Sequence, residues 1–122
     1  MARILIVDDD LDIVEAGRVM LELDGHQVDA AHSYQAGLDA ALRLKPDLMI
    51  LDVMMDEPDD GFALAQALRG RGVTTPIIML TSVSRVSGLS FGIDKDLLPV
   101  DDFVQKPVDP LVLQEKVRAL LV

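Results

Sequence analysis

Ile4-Leu5-Ile6-Val7-Asp8-Asp9-Asp10 sets four apolar residues in unbroken succession against three aspartates. A strand with one wet face alternates apolar and polar side chains, whereas a strand apolar on both faces must be covered on both sides, as in a parallel sheet flanked by helices. Runs of the same kind recur at residues 48–51, 77–80 and 103–104, with a weaker alternating segment at Gln27–Ala31. They predict five strands.

Helical patterns fill the spaces between these runs. Ile13, Ala16, Gly17, Met20 and Leu21 fit the i, i+3, i+4, i+7, i+8 template, and Gly37, Ala40, Ala41 and Leu44 fit four of its positions. Leu64, Ala65 and Leu68 form a third stripe, and Leu113, Val117, Leu120 and Leu121 a closing one. Asp109 with Pro110 opens the closing helix, Asp10 or Asp12 caps the first, and Gly25 and Gly70 mark helix ends. The expected class is α/β: a doubly wound, five-stranded parallel sheet in three layers, flavodoxin-like (βα)5. No repeat, linker or low-complexity segment interrupts it, so residues 1–122 are expected to form one domain with no output domain in this chain.

Composition narrows the function classes. The 122 residues include no cysteine, which excludes disulfides and thiolate metal sites. Eleven Lys and Arg against 21 Asp and Glu give a net charge of −10, which repels phosphate backbones and anionic membranes. Neither direct nucleic-acid binding nor membrane binding is expected. The first apolar run stops at three aspartates, unlike a signal peptide, and no run approaches the ~18 apolar residues of a spanning helix. A cytoplasmic location is expected.

Open α/β sheets bind ligands outside the carboxyl ends of their strands. Reading those positions gives Asp8, Asp9 and Asp10 after the first run, Asp52 after the third, Thr81 after the fourth and Lys106 after the fifth. Carboxylates crowded into a partly desolvated cleft repel one another unless a cation joins them, and oxygen-only ligands select a hard ion such as Mg2+. Each residue alone has an ordinary role: a helix cap, a turn hydroxyl, a solvated lysine. Their coincidence at four strand ends is what points to a site. His26 and His32 fall away from that edge in this layout, and Met20, Met49 and Met79 read as core.

These residues carry a resemblance to the receiver domains of two-component response regulators. The matching segments are Ile4-Leu5-Ile6-Val7-Asp8-Asp9-Asp10, Asp47-Leu48-Met49-Ile50-Leu51-Asp52-Val53-Met54-Met55, Pro76-Ile77-Ile78-Met79-Leu80-Thr81 and Lys106-Pro107, in order along nearly the whole chain. The resemblance implies that Asp52 accepts a phosphoryl group from a histidine kinase or histidine phosphotransfer protein. It implies Mg2+ held by Asp9, Asp52 and the Met54 main-chain carbonyl, with Asp8 helping through water. Lys106 and Thr81 would then engage the phosphoryl group, and Thr81 and Phe103 would form the switch, with a Lys106-Pro107 bond of the cis kind. Such a domain is a signalling module rather than an enzyme, a monomer or weak homodimer that acts on a downstream protein target or output domain.

The chain departs from the family pattern in two places. The loop Asp56-Glu57-Pro58-Asp59-Asp60-Gly61 is one residue longer than usual and lacks proline at its usual place, which would let Asp56 or Glu57 approach the metal or simply remain solvated. Between Thr81 and Lys106 the usual Gly-Ala pair is missing and the segment is longer. With two glycines, four serines and β-branched residues across residues 82–92, and Pro99 beyond, the helix there is expected to be short, displaced or partly disordered, tacked down by Leu89, Phe91 and Leu97. Rival readings are a haloacid-dehalogenase-type phosphatase with Asp8 as nucleophile, which leaves Asp52 idle, and a receiver-like scaffold that is never phosphorylated. Nucleotide binding is disfavoured, because no glycine-rich phosphate loop follows any strand.

Overall fold

Every apolar run is a strand, and four of the five extend a residue past the run at one end or both. The computed structural model describes residues 2–55, 57, 59–81, 100–106 and 108–121. In chain order the elements are β1 (Arg3–Val7), α1 (Leu11–Leu23), β2 (Gln27–Ala31), α2 (Tyr34–Leu44), β3 (Leu48–Asp52), α3 (Asp60–Gly70), β4 (Ile77–Thr81), β5 (Asp102–Gln105) and α4 (Pro110–Leu120). All strand pairs are parallel and the order is β2-β1-β3-β4-β5. Order reverses between β1 and β3, which opens a crevice at their carboxyl ends.

Strand alternation sorts the apolar side chains into two cores. Ile4, Ile6, Leu48, Ile50, Ile78, Leu80 and Val104 pack with Val14, Leu21, Leu113 and Val117 of α1 and α4. Leu5, Val7, Met49, Leu51, Ile77 and Met79 pack instead with Leu38, Ala41, Leu64, Ala65 and Leu68 of α2 and α3. Fully burying one such side chain is worth about 1.5–3 kcal/mol, so the continuous runs on β1, β3 and β4 are what hold the three layers together.

The caps explain where the helices begin. Asp10 accepts from the amides of Asp12 and Ile13 at the start of α1, and Asp109 accepts from Leu111, with Pro110 in the first turn of α4. Ser33 Oγ accepts from Ala36 at α2. One expectation needs correction. The buried stripe of α1 is Val14, Gly17 and Leu21, and Ala16 faces solvent. Gly17, which has no side chain, lies against Ile6, so α1 meets the sheet along Val14, Gly17 and Leu21. At the end of α3, Gly70 is the last helical residue, and Gly72 takes the left-handed conformation at φ 84°. Gly25, at φ 92°, ends α1 as expected. The predicted irregular helix with Leu89, Phe91 and Leu97, together with Asp56, Pro58, Pro99 and Pro107, lies outside the described residues.

Candidate functional site

Because β3 and β4 run one residue past their apolar cores, Asp52 and Thr81 are the last strand residues, held in register, and not the first residues of loops. Asp8 follows β1 directly and Lys106 follows β5. The structure brings all four to the carboxyl edge of the sheet. Asp8 is fully buried and Asp52 is 6% exposed, while Asp9 faces solvent. One carboxylate oxygen from each of these three lies within 4.8 Å of the others.

Lys106 reaches into this cluster. Its Nζ stands 3.0 Å from Asp52 Oδ1 and 3.3 Å from Asp8 Oδ2, and its amide donates to the Thr81 carbonyl at 2.6 Å. Asp8 is held from its other side as well: Oδ1 accepts from the Asp10 amide at 2.9 Å, and its own amide donates to the Ala31 carbonyl. Burial pushes the Asp8 carboxyl up to about 6 from its ordinary 3.8, although the Asp10 amide works against it; the Asp52 charge adds to the rise and Lys106 opposes it. For Lys106, burial pulls the ammonium down, but the hydrogen bond to Asp52 and the charges of Asp8 and Asp52 outweigh it and leave the group above its usual range. One ammonium therefore serves at least two carboxylates, and among the described residues the cluster is short of positive charge. An all-oxygen set with that deficit suits Mg2+.

Thr81 is 1% exposed, and its Oγ1 has no hydrogen-bond partner among the described residues. A buried hydroxyl without a partner costs free energy, and it is the kind of group that a phosphoryl oxygen would satisfy. Thr81 pairs with Gln105 and Met79 with Phe103, so Thr81 and Phe103 share the sheet face covered by α2 and α3. The Phe103 ring is half-buried, its centroid 6.5 Å from that of Phe62 in α3. Met54, in the loop after β3, is 47% exposed. The Asp10 carboxylate is occupied as the cap of α1 and is not one of the three grouped carboxylates, although the Asp10 amide reaches Asp8.

Two residues near the site were not foreseen. His32, expected away from the acidic edge, places Nδ1 3.2 Å from the Asp8 carbonyl oxygen, where the ring nitrogen must donate. The reason is strand order: β2 borders β1, so the residue after β2 falls beside the residue after β1. Gly61, in the first turn of α3, packs directly on the Asp52 backbone, and its only signal in the sequence is an Asp-Gly pair that opens a helix. His26 does lie at the far edge, accepting from the Ala2 amide. A cavity of about 460 Å3 lined by Ala2, His26, Asp47, Leu120 and Leu121 is also at that far edge. Among the described residues that line it there is no acidic cluster and no ammonium, so the chemistry and not the volume identifies the candidate site.

Comparison with known proteins agrees with this geometry. Response regulator MprA of Mycobacterium tuberculosis is 39% identical over 119 residues, covering 98% of this chain and 50% of the relative. The DNA-binding dual master transcriptional regulator RpaA of Synechocystis is 37% identical over 123 residues, covering 99% of this chain and 49% of the relative. This chain thus spans about half the length of either. The Francisella response regulator 1452 receiver domain superposes with a TM-score of 0.82 at 26% identity, covering 99% of this chain and 97% of that one. The family description that fits residues 4–118 is the response regulator receiver domain, and the chain belongs to that family.

Proposed function

We propose that Asp52 is the phosphoryl acceptor of this receiver domain, with Lys106 and Thr81 as the groups that engage the phosphoryl oxygens. The observation that carries the reading is the contrast between the two buried aspartates. Asp8 has both carboxylate oxygens engaged, by the Asp10 amide and by Lys106, and its raised pKa favours the proton over a nucleophilic role. Asp52 is bound through Oδ1 to Lys106 and sits at the end of a strand that fixes its backbone. This favours Asp52 over the phosphatase-type reading centred on Asp8.

In the transfer, an Asp52 carboxylate oxygen attacks the phosphorus of a phosphohistidine on the partner. The new P–O bond forms as the P–N bond breaks, and the electron pair stays on the departing imidazole nitrogen. Lys106 stands where its ammonium can neutralise charge on a phosphoryl oxygen. Asp9, Asp52 and the Met54 main-chain carbonyl would hold Mg2+, with Asp8 acting through water, and the ion would supply further neutralisation of the phosphoryl oxygens. Thr81 would donate its Oγ1 hydrogen to the acyl phosphate, and Phe103, on the same sheet face, would register that movement against α2 and α3.

The donor would be a histidine kinase or a histidine phosphotransfer protein in the cytoplasm. The response would pass to a downstream protein or an output domain, with the receiver itself a monomer or weak homodimer. The net charge of −10 argues that any contact with nucleic acid is made outside these 122 residues. The domain would assist only its own phosphorylation and dephosphorylation. Incubation with acetyl phosphate and Mg2+ should add one base-labile phosphoryl group to the native chain and none to Asp52→Ala. A label that survives in Asp52→Ala and vanishes in Asp8→Ala would replace this reading with the phosphatase one.

A further inference from the structure

Gly61 is the second residue of α3, and its amide donates to the Val53 carbonyl at 2.8 Å. A Cβ at this position would overlap the Asp52 carbonyl oxygen and would stand 2.8 Å from both the Asp52 carbonyl carbon and Val53 Cα. All three are backbone atoms, which cannot rotate aside as a side chain can. The positive-φ glycines among the described residues are Gly25 and Gly72, so Gly61 is required for space and not for conformation. Gly37 and Gly17 are different: a Cβ there would press only on side-chain methyls of Val7, Leu64 and Ile6.

On its other side the same backbone is tied to β4. Asp52 pairs with Leu80, and the Val53 amide donates to the Leu80 carbonyl at 3.1 Å. The Asp52–Val53 peptide is therefore gripped between β4 and the first turn of α3. We infer that Gly61 is a positioning residue: by letting α3 close onto the Asp52 backbone, it sets where the Asp52 carboxylate stands relative to Asp8, Asp9 and Lys106. It also holds together the residues that flank the Met54 loop, since the Gly61 amide donates to the Val53 carbonyl. The inference rests on Asp52 as the acceptor. Misplacing a reacting group by ~1 Å can cost about 100-fold in rate, so one added methyl here is expected to matter far beyond its volume.

The test compares the native chain with Gly61→Ala and Gly37→Ala. Two quantities are read: the rate of Asp52 labelling by acetyl phosphate with Mg2+, and the rise in Tm that Mg2+ alone produces. Gly61→Ala should slow labelling about tenfold or more and shrink the Mg2+-dependent rise, whereas Gly37→Ala should lower Tm and label at the native rate. Native-rate labelling in Gly61→Ala, or equal slowing in both variants, overturns the inference. Should Gly61→Ala not fold, amide exchange in the native chain decides. Coupling is reciprocal, so Mg2+, which stabilises the whole fold, should raise protection of the Gly61 amide beyond the rise at the Gly37 amide, and an equal rise at both overturns the inference. No change at Gly61 overturns the inference as well. Asp52→Ala, run in parallel, separates the two ideas: a label in that variant removes the acceptor reading, while full-speed labelling of Gly61→Ala at Asp52 removes only the role of Gly61.

Discussion

The two edges of the sheet treat their carboxylates in opposite ways. At the amino edge of the strands three acids each have a partner of their own. Asp47 accepts from the Arg3 amide at 2.8 Å; Asp101 Oδ2 accepts from the Ile77 amide at 2.8 Å and from Arg69; Asp24 takes two hydrogen bonds from Arg118. At the carboxyl edge Asp8 and Asp52 share one lysine, Asp9 lies alongside, and the Thr81 hydroxyl has no partner among the described residues. A satisfied polar group holds a fold together, whereas a cluster with surplus negative charge and an idle donor is built to receive something.

That contrast is most exposed to test through Arg69. Its Nη1 donates to the carbonyls of Val73 and Thr75 at 3.0 and 2.8 Å, which ties the end of α3 to the approach of β4. Arg69→Ala strips two carbonyls and Asp101 of a donor and should cost about 2–3 kcal/mol of stability, a fall of several degrees in Tm. The Mg2+-dependent rise in Tm and the rate of Asp52 labelling should stay native. A variant that lost labelling while keeping its Tm would show that the amino edge takes part in function, and the contrast would break.

At the other edge a substitution should stabilise. Asp8→Asn keeps the shape and removes a buried charge whose pKa stands at about 6 in the folded chain against 3.8 ordinarily. A carboxyl with a raised folded pKa contributes stability below its unfolded value and loses it as pH rises through the folded one. Metal-free native protein should therefore lose stability between pH ~4 and ~6, and Asp8→Asn should flatten that slope and gain up to about 2 kcal/mol at pH 7, discounted for its coupling to Lys106. The same variant should lose most of the rise that millimolar Mg2+ gives the native chain. Equal slopes with and without Asp8 would show that the cluster is not strained by charge.

Asp8 and Asp52 were legible because an acid that follows an apolar run on adjacent parallel strands has nowhere to go but the same edge. The core was legible for the same reason: period two on β1, β3 and β4 assigns every apolar residue to one helix layer or the other. What escaped depends on contacts between elements that no local pattern encodes. His32 meets Asp8 because β2 borders β1, a neighbour that the flavodoxin-like order implies but that no local pattern around His32 signals. The Ala16 expectation failed because the stripe of α1 is set by how closely Gly17 approaches Ile6, a property of the partner strand. Gly61 was visible as a glycine, but its need for space exists only once Asp52 lies beneath it. The resemblance alone singled out Thr81 and Phe103 as a pair, and register adds that the two share one face.

The smallest effect is expected at Arg118, and it sharpens the contrast through its sign. Its Nη2 and Nε lie 2.7 and 3.0 Å from the two Asp24 oxygens, linking α4 to the C-cap of α1. The geometry is bidentate, yet the Arg118 side chain is 59% exposed, so solvent and salt screen the pair, and Arg118→Ala should barely move Tm at neutral pH. Acid should reveal it. The Arg118 hydrogen bond holds the Asp24 carboxyl below its ordinary 3.8, so this pair contributes above the unfolded value and is lost as pH falls through the folded one. Asp8 runs the other way, gaining on acidification. Below pH ~4 the amino edge should thus weaken while the carboxyl edge is relieved, and Arg118→Ala should make the fall in Tm on going from pH 5 to pH 3 shallower than in the native chain. Melts across that range at low salt check it. A steeper fall in the variant would mean that Asp24 is held by something other than Arg118, and one of the paired acids on which the contrast depends would be lost.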